Sequence, residues 1–340
     1  MFGPTRGGSI RTSRRIALVC ACVAAWCGSV VPSDAAQGCE EPPAAIRDLD
    51  IPRFYADKQG SVVSSEQKAL HDNAVEPLVE FVREVAANSD KAAHGNLDAA
   101  ACGLLWVQAW AKDGAYLGRM EQPQAEYQRK WDLAGVALAY LKLRRYAGIE
   151  QRRVIEPWLM QLADATRAFF DDPGHKRNNQ WYWQGLALAA TAIGTGSERH
   201  WGLARQVFAD AVRDIQPDGT LPMELERAAR ALHYHVFAVT PLVVMAELAR
   251  SRGEDWYALG DGALHRLVGV TLRGLQQPKL FDDLAKQPQE RPVNPGAGWL
   301  QLYSLRFADR VSGPLPDVKP KHRYLGGDVL QLALALGART

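Results

Sequence analysis

Arg227 and Tyr234 stand seven residues apart. On a continuous helix, seven residues make nearly two turns, so both side chains lie on one face, roughly 10 Å apart along the axis. A guanidinium and a phenol on one face can hold an anionic group and move a proton. The same spacing also describes a buried tyrosine with a surface arginine. His233 and His235 flank Tyr234, but residues i and i+2 do not share a helix face, so neither is expected beside the phenol. A second group is Lys176-Arg177-Asn178-Asn179-Gln180-Trp181-Tyr182-Trp183. Two asparagines before an aromatic, apolar run read as a helix N-cap. The free N–H groups and positive dipole end of such a helix suit a carboxylate. Amide and basic groups beside three aromatics describe a site for an acidic sugar, and equally a capped core helix.

The elements that position these residues read as helices throughout. Ser64 to Ala87 opens with the capping-box spacing Ser64-x-x-Gln67 and carries Leu70, Val75, Leu78, Val79 and Val82. Leu97 to Tyr116 is the next. Further periodic runs cover about 124–146, 150–170, 179–194, 198–215, 223–251, 254–275, 297–308 and 326–337. Pro173-Gly174, Pro217-Asp218-Gly219 and Pro295-Gly296 punctuate them, and no convincing alternating strand is present. Successive helices with short connectors predict an all-α fold of stacked antiparallel hairpins. A curved array of this kind has a concave face suited to a long polymer. With no internal repeat and no low-complexity linker, residues 36–340 read as one domain.

Residues 1–35 read as a signal peptide. Arg6, Arg11, Arg14 and Arg15 form a positive leader, and Ile16 to Val31 is an apolar run too short and wrongly flanked for a membrane span. Ser33-Asp34-Ala35 offers small residues for cleavage. A periplasmic or secreted protein is therefore expected, with no stable membrane association afterwards. Cys20, Cys22 and Cys27 leave with the signal, and Cys39 and Cys102 remain. Two cysteines in an oxidising compartment are expected to pair. The whole chain carries 40 Lys and Arg against 38 Asp and Glu. Without residues 1–35, which hold four Arg and one Asp, 36 basic side chains face 37 acidic ones. Local arginines and lysines must then hold any acidic substrate, and nothing favours nucleic acid.

Several stretches carry a family resemblance. They are Asn178-Asn179-x-x-Tyr182-Trp183, then Asp218-Gly219-x-Leu221-Pro222-x-Glu224-Leu225-x-Arg227, then Arg230-Ala231-Leu232-x-Tyr234-His235. Ala101-Cys102 with Trp106, Ala109, Trp110 and Ala111, Arg129-Lys130-Trp131 with Ala139-Tyr140-Leu141, and Arg323-x-Leu325-Gly326-Gly327 support them. In this order, from about Cys39 to about Gly327, the chain resembles the alginate lyases of polysaccharide lyase family five. The resemblance implies an incomplete α/α toroid and cleavage of a polyuronate by β-elimination, without a cofactor or metal, by a monomer whose partner is an acidic polysaccharide. It implies that Asn179 neutralises the uronate carboxylate, that Arg227 supports the charge balance, and that Tyr234 serves as acid and also as base. A free tyrosine titrates near ~10, and a nearby Arg cation favours the phenolate. Asn178, Trp181, Tyr182, Trp183 and Arg323 are expected to contact the sugars, and Lys58, in Tyr55-x-Asp57-Lys58-Gln59-Gly60-Ser61, to do so from a lid.

One position departs from the family: Gln180 stands where a histidine is usual. Glutamine donates hydrogen bonds to a carboxylate but carries no proton or charge. Gln180 is thus expected to keep the neutralising role and lose the second titrating group. That favours substrates whose C5 proton and C4 leaving group lie on one side of the ring, mannuronate or glucuronate. The other readings are a non-catalytic polyuronate-binding relative and an α/α-toroid glycosidase on uronate oligomers. The latter needs a carboxylate pair, for which Asp132, Asp218 and Glu224 are the candidates.

Overall fold

The coordinates are a computed structural model and describe Met1, Gly3 and residues 38–57, 60–290, 298–313 and 319–337. The expected signal segment falls almost wholly outside the described residues, as does Lys58.

Twelve α-helices carry the described residues: α1 Ser65–Ala93, α2 Leu97–Lys112, α3 Pro123–Leu143, α4 Ile149–Phe170, α5 Asn179–Thr195, α6 Glu198–Asp214, α7 Pro222–Leu225, α8 Ala231–Ser251, α9 Leu259–Gln276, α10 Lys279–Ala285, α11 Gly298–Arg306 and α12 Val329–Ala335. Local chemistry sets many of the ends. Ser64, Asn96 and Ser197 accept hydrogen bonds from the first turns of α1, α2 and α6. Gly196 closes α5 in the left-handed conformation. Among the described residues the one strand pair is two residues long, β1 Lys321–His322 against β2 Gly327–Asp328.

Helices α3, α5 and α8 are buried on nearly every side. They pack in the order α1, α3, α5, α8, with α2, α4, α6 and α9 against their outer sides. The outer helices α4 and α6 bury one stripe only. This is the inner-and-outer arrangement of an α/α toroid. It also explains why α8 is apolar enough to resemble a membrane span: 89% of that stretch is buried inside the protein.

Two devices tie the stretch around residues 39–43 to α2 and the stretch around residues 323–328 to α1 and α3. Cys39 and Cys102 form a disulfide with Cα atoms 5.4 Å apart. Beside it, Trp106 and Trp110 of α2 donate indole hydrogen bonds to the carbonyls of Glu40 and Pro43, each at 2.9 Å. At the other end, Asp90 of α1 pairs with the buried Lys142 of α3 and accepts from the Asp328 amide at 3.0 Å. Lys142 also donates to the Gly326 carbonyl at 2.6 Å. Gly326 has φ +73°, and a Cβ there would stand 2.7 Å from the Ala139 amide. Only glycine fits that approach, which sets Arg323 and Tyr324 against α3.

The structure differs from the sequence reading mainly at 223–251, where one helix is expected. The chain instead forms α7, a 3-10 turn Ala228–Arg230 and then α8, with Ala228 at φ +52°. Alanines favour helix, so no local signal announces the break. Helix α10 is a further element the periodicity does not reveal.

The disulfide closes a 63-residue separation. Replacing both cysteines with serine is expected to lower unfolding free energy by roughly 3–5 kcal/mol in the chain-entropy model. Urea titrations of the two proteins measure this, and coincident midpoints would refute it.

Candidate active site

A cleft of about 650 Å³ opens at the inner face. Each contributing element delivers a small group. The N-terminal arm supplies Arg53, Phe54, Tyr55 and Gly60, and α1 supplies Lys68 and His71. Tyr127, Gln128 and Trp131 come from α3, and Asn178 and Gln180 from the start of α5. The first turns of α8 give His233, Tyr234 and Phe237, joined by Arg230 at the end of the preceding 3-10 turn and by Arg227, Arg323 and Tyr324. Positions 233 and 237 stand about one helical turn apart, so both reach the same side of α8.

Arg227 does not lie two turns from Tyr234 along one helix. The left-handed Ala228 folds the chain back, and the Arg227 guanidinium sits 3.8 Å from the centre of the Tyr234 ring, a cation–π contact. The Tyr234 hydroxyl donates to the Tyr55 hydroxyl at 2.8 Å, with the Gly60 carbonyl at 3.3 Å. Arg230 donates to the same Tyr55 oxygen at 2.8 Å. Gly60 has φ +67°, and a Cβ there would stand 2.6 Å from Arg227 Nη2. Tyr55 and Gly60 therefore sit directly on the Arg227–Tyr234 pair. Asp57 accepts from the Ser61 and Val62 amides.

Burial pushes the Tyr234 phenol above its usual range, as does its hydrogen-bonded neighbour Tyr55. Arg227 and Arg230 act in the opposite sense but are outweighed. The expected lowering by arginine is thus real in direction and too small: the phenol is held protonated. His233 corrects a second expectation, since it borders the cleft one residue before Tyr234. Adjacent helix residues are about 100° apart, and a cleft this wide takes both. Burial, then Arg230 and Arg227, push its imidazole down to about 4, so it is neutral. His235 is buried, accepting from the Leu221 amide at 3.0 Å.

The second predicted group divides. Asn178 and Gln180 face the cleft, and Asn178 caps α5 through the Gln180 amide. Asn179 is fully buried. Its backbone N–H and its Nδ2 both donate to Glu224, at 2.6 and 2.9 Å. Tyr182 and Trp183 are core residues whose polar atoms donate to Asp214 and to the Phe237 carbonyl. Trp181 packs against Phe170 and Arg167. The aromatic wall comes instead from Tyr55, Tyr127, Trp131, Phe237 and Tyr324. Composition alone distinguishes none of these from core aromatics; only Trp131, inside Arg129-Lys130-Trp131, carries a sequence signal. Arg323 lines the cleft as expected.

Carboxylates are scarce there. Among the described lining residues the one acid is Asp72, ion-paired with Lys68. Asp132 and Glu224 are buried behind the wall, and burial pushes each up to about 7. Asp218 holds the turn before α7 by accepting from the Thr220 amide. No carboxylate pair flanks the cleft among the described residues.

A helical toroid with an arginine-rich, aromatic-walled cleft and a buried tyrosine at its floor defines a polysaccharide-lyase type of site. Comparison with known proteins agrees. Residues 55–281 match the family model described as alginate lyase. A polysaccharide lyase of Stenotrophomonas maltophilia is 39% identical over 306 residues, covering 87% of this chain and 90% of that protein. An alginate lyase of Azotobacter vinelandii is 30% identical over 300 residues, covering 82% and 78%. Alginate lyase A1-III of Sphingomonas species A1 superposes with a TM-score of 0.74 at 23% identity, covering 86% of each chain. A tyrosine-to-phenylalanine variant of A1-III in complex with a tetrasaccharide gives 0.77 at 24%, covering 90% and 91%. The chain belongs to the alginate lyase family and is a polysaccharide lyase.

The buried carboxyls predict a pH dependence. A carboxyl whose folded pKa exceeds its unfolded value contributes stability that is complete below the unfolded value and lost as pH rises through the folded one. Asp132 moves from 3.8 to about 7. Asp132→Asn should therefore flatten the loss of stability between about pH 5 and about pH 8, by an amount on the order of 1–3 kcal/mol. Urea midpoints at the two pH values test it; an equally steep loss in the variant contradicts it.

Proposed function

We propose that this lyase depolymerises a β-1,4-linked polyuronate of mannuronate or glucuronate type by β-elimination, with Tyr234 as both base and acid. The observation that carries the reading is the Arg227–Tyr234 stack at the floor of the cleft. The resting phenol first loses its proton to solvent; the phenolate so formed takes the C5 proton and becomes a phenol again. C4=C5 forms as the C4–O4 bond breaks, and the phenol gives its proton to O4. The proton count closes on one side chain, and Arg227 and Arg230 favour the phenolate when it forms. General acid–base help of this kind is worth roughly 10²–10⁴ in rate.

Neutralisation of the carboxylate falls to Gln180, Asn178 and the cleft arginines. Asn179 supports it by holding the start of α5 to Glu224. With Gln180 in place of histidine and His233 made a weak base by burial and two arginines, the proton is assigned to Tyr234, beside Arg227 at the cleft floor. This favours elimination with both leaving groups on one side of the ring. The A1-III structures with a tetrasaccharide, obtained with tyrosine-to-phenylalanine and histidine-to-alanine variants, support an extended sugar chain in the corresponding cleft. The scarcity of carboxylates along the cleft disfavours a glycosidase. The leader at residues 1–35 and the Cys39–Cys102 bridge favour a periplasmic or secreted protein.

The ultraviolet absorbance of the unsaturated uronate product measures the reaction. Mannuronan or glucuronan should give a rising signal and guluronan one at least roughly tenfold slower; equal rates on mannuronan and guluronan would sink the substrate assignment. Tyr234→Phe should lower kcat by roughly 10³-fold or more while the helical signature stays intact. A variant that keeps wild-type kcat removes Tyr234 from the mechanism.

A further inference from the structure

Behind Gln180 lies a side chain that the reaction as drawn does not use. Lys130 of α3 is fully buried, and its Nζ donates a hydrogen bond to Gln180 Oε1. Three aromatic rings surround that Nζ: Trp131 at 4.6 Å, Tyr127 at 4.8 Å and Phe170 at 5.3 Å from their centres. Among the described residues no carboxylate pairs with it. Burial pushes the amine well below its ordinary range, while the ring faces favour the cation. Charged or neutral, it has an N–H for the glutamine oxygen.

This matters because an amide is two-faced. Its oxygen only accepts and its NH₂ only donates. A glutamine on a cleft wall can turn either face outward, and the two orientations have opposite effects on a bound carboxylate. The carbonyl repels it; the NH₂ binds it and the enolate-like charge that develops during elimination. A histidine with its own N–H is less exposed to this ambiguity. A lysine has donors and no competing acceptor when charged, so a lysine fixed behind the amide selects one orientation. It also polarises the amide, which strengthens the outward N–H donors.

We propose that Lys130 is a positioning residue for the elimination, caged by aromatics so that it holds the oxygen of Gln180 inward and turns its NH₂ toward the substrate carboxylate. The inference rests on the reading that Gln180 meets that carboxylate. Lys130 does not touch the substrate; it acts through Gln180.

Lys130→Met, nearly the same length and at home among aromatics, tests it. Expected is a fall in kcat on mannuronan of roughly tenfold or more with KM little changed, because the interaction strengthens as charge develops. The melting temperature should hold or rise, since a buried cation without a carboxylate partner is lost. A Gln180→Ala background should mask the effect, so that the double variant is no slower than Gln180→Ala alone. A Gln180→His background should restore most of the lost kcat, as the imidazole brings its own N–H. Unchanged kcat, losses that multiply in the Gln180→Ala background, or a drop in activity matched by a lower melting temperature or failure to fold would each overturn the inference. Full activity of Gln180→Ala by itself would overturn the reading of Gln180 and this inference with it. The Tyr234→Phe measurement stands apart from both.

Discussion

The carboxylate of Glu224 is the constraint on which the site depends. It lies fully buried between two elements and accepts from both the backbone and the side chain of Asn179. One end of this contact is the first residue of α5, next to Gln180. The other is α7, three residues before Arg227 and ten before Tyr234. Together with the packing of α5 on α8 and the Trp183–Phe237 hydrogen bond, this contact holds the amide and the phenol to one cleft. Burial of an acid is costly unless its oxygens are satisfied. Two hydrogen bonds satisfy them here, and the remaining cost shows as a pKa pushed up to about 7.

From that anchor the chain reaches Arg227 and then turns back on itself at Ala228, a non-glycine residue in the left-handed region. Such backbone is tolerated where the surroundings over-determine it. Here Glu224 holds one side, the Arg227–Tyr234 stack the other, and Gly60 leaves just enough room above for the guanidinium. The strain has a chemical use. It moves a guanidinium from two turns away to direct contact with the phenol ring, where it can respond to the charge on Tyr234. Meanwhile the loop carrying Tyr55 keeps that phenol buried and protonated.

The cleft collects charge that the chain as a whole does not have. Arg53, Lys68, the Arg227–Arg230 turn and Arg323 bring five cations from four separate stretches, against Asp72, the single acid among the described lining residues. A nearly neutral protein thus has a basic groove, which suits an acidic polymer held locally and not by a global field. The groups nearest the expected carboxylate, Gln180 and Asn178, carry no proton to lose, and His233 is neutral.

The helices were legible because their apolar period is strong, and Ser64 and the Asn178–Asn179 pair mark two of their starts. The toroid followed from motifs kept in order along the chain, the same motifs singled out Tyr234, Arg227, Gln180 and Arg323, which line the cleft, and the Cys39–Cys102 pairing followed from cysteine count and compartment. The reading failed where contacts distant in sequence decide. Ala228 looks helical, and only the packing of Arg227 on Tyr234 makes it a turn. Asn179 and Gln180 look equivalent, and only Glu224, forty-five residues on, takes Asn179 out of the cleft. Trp181, Tyr182 and Trp183 look like a sugar platform, yet the inner packing of α5 takes two of them into the core, and rings from four other stretches form the wall. The sequence determined which residue types are present and which helices carry them, because those depend on period and capping within a few residues. Which side chains face the cleft, in what protonation state, was decided by tertiary structure, because burial and long-range partners set both.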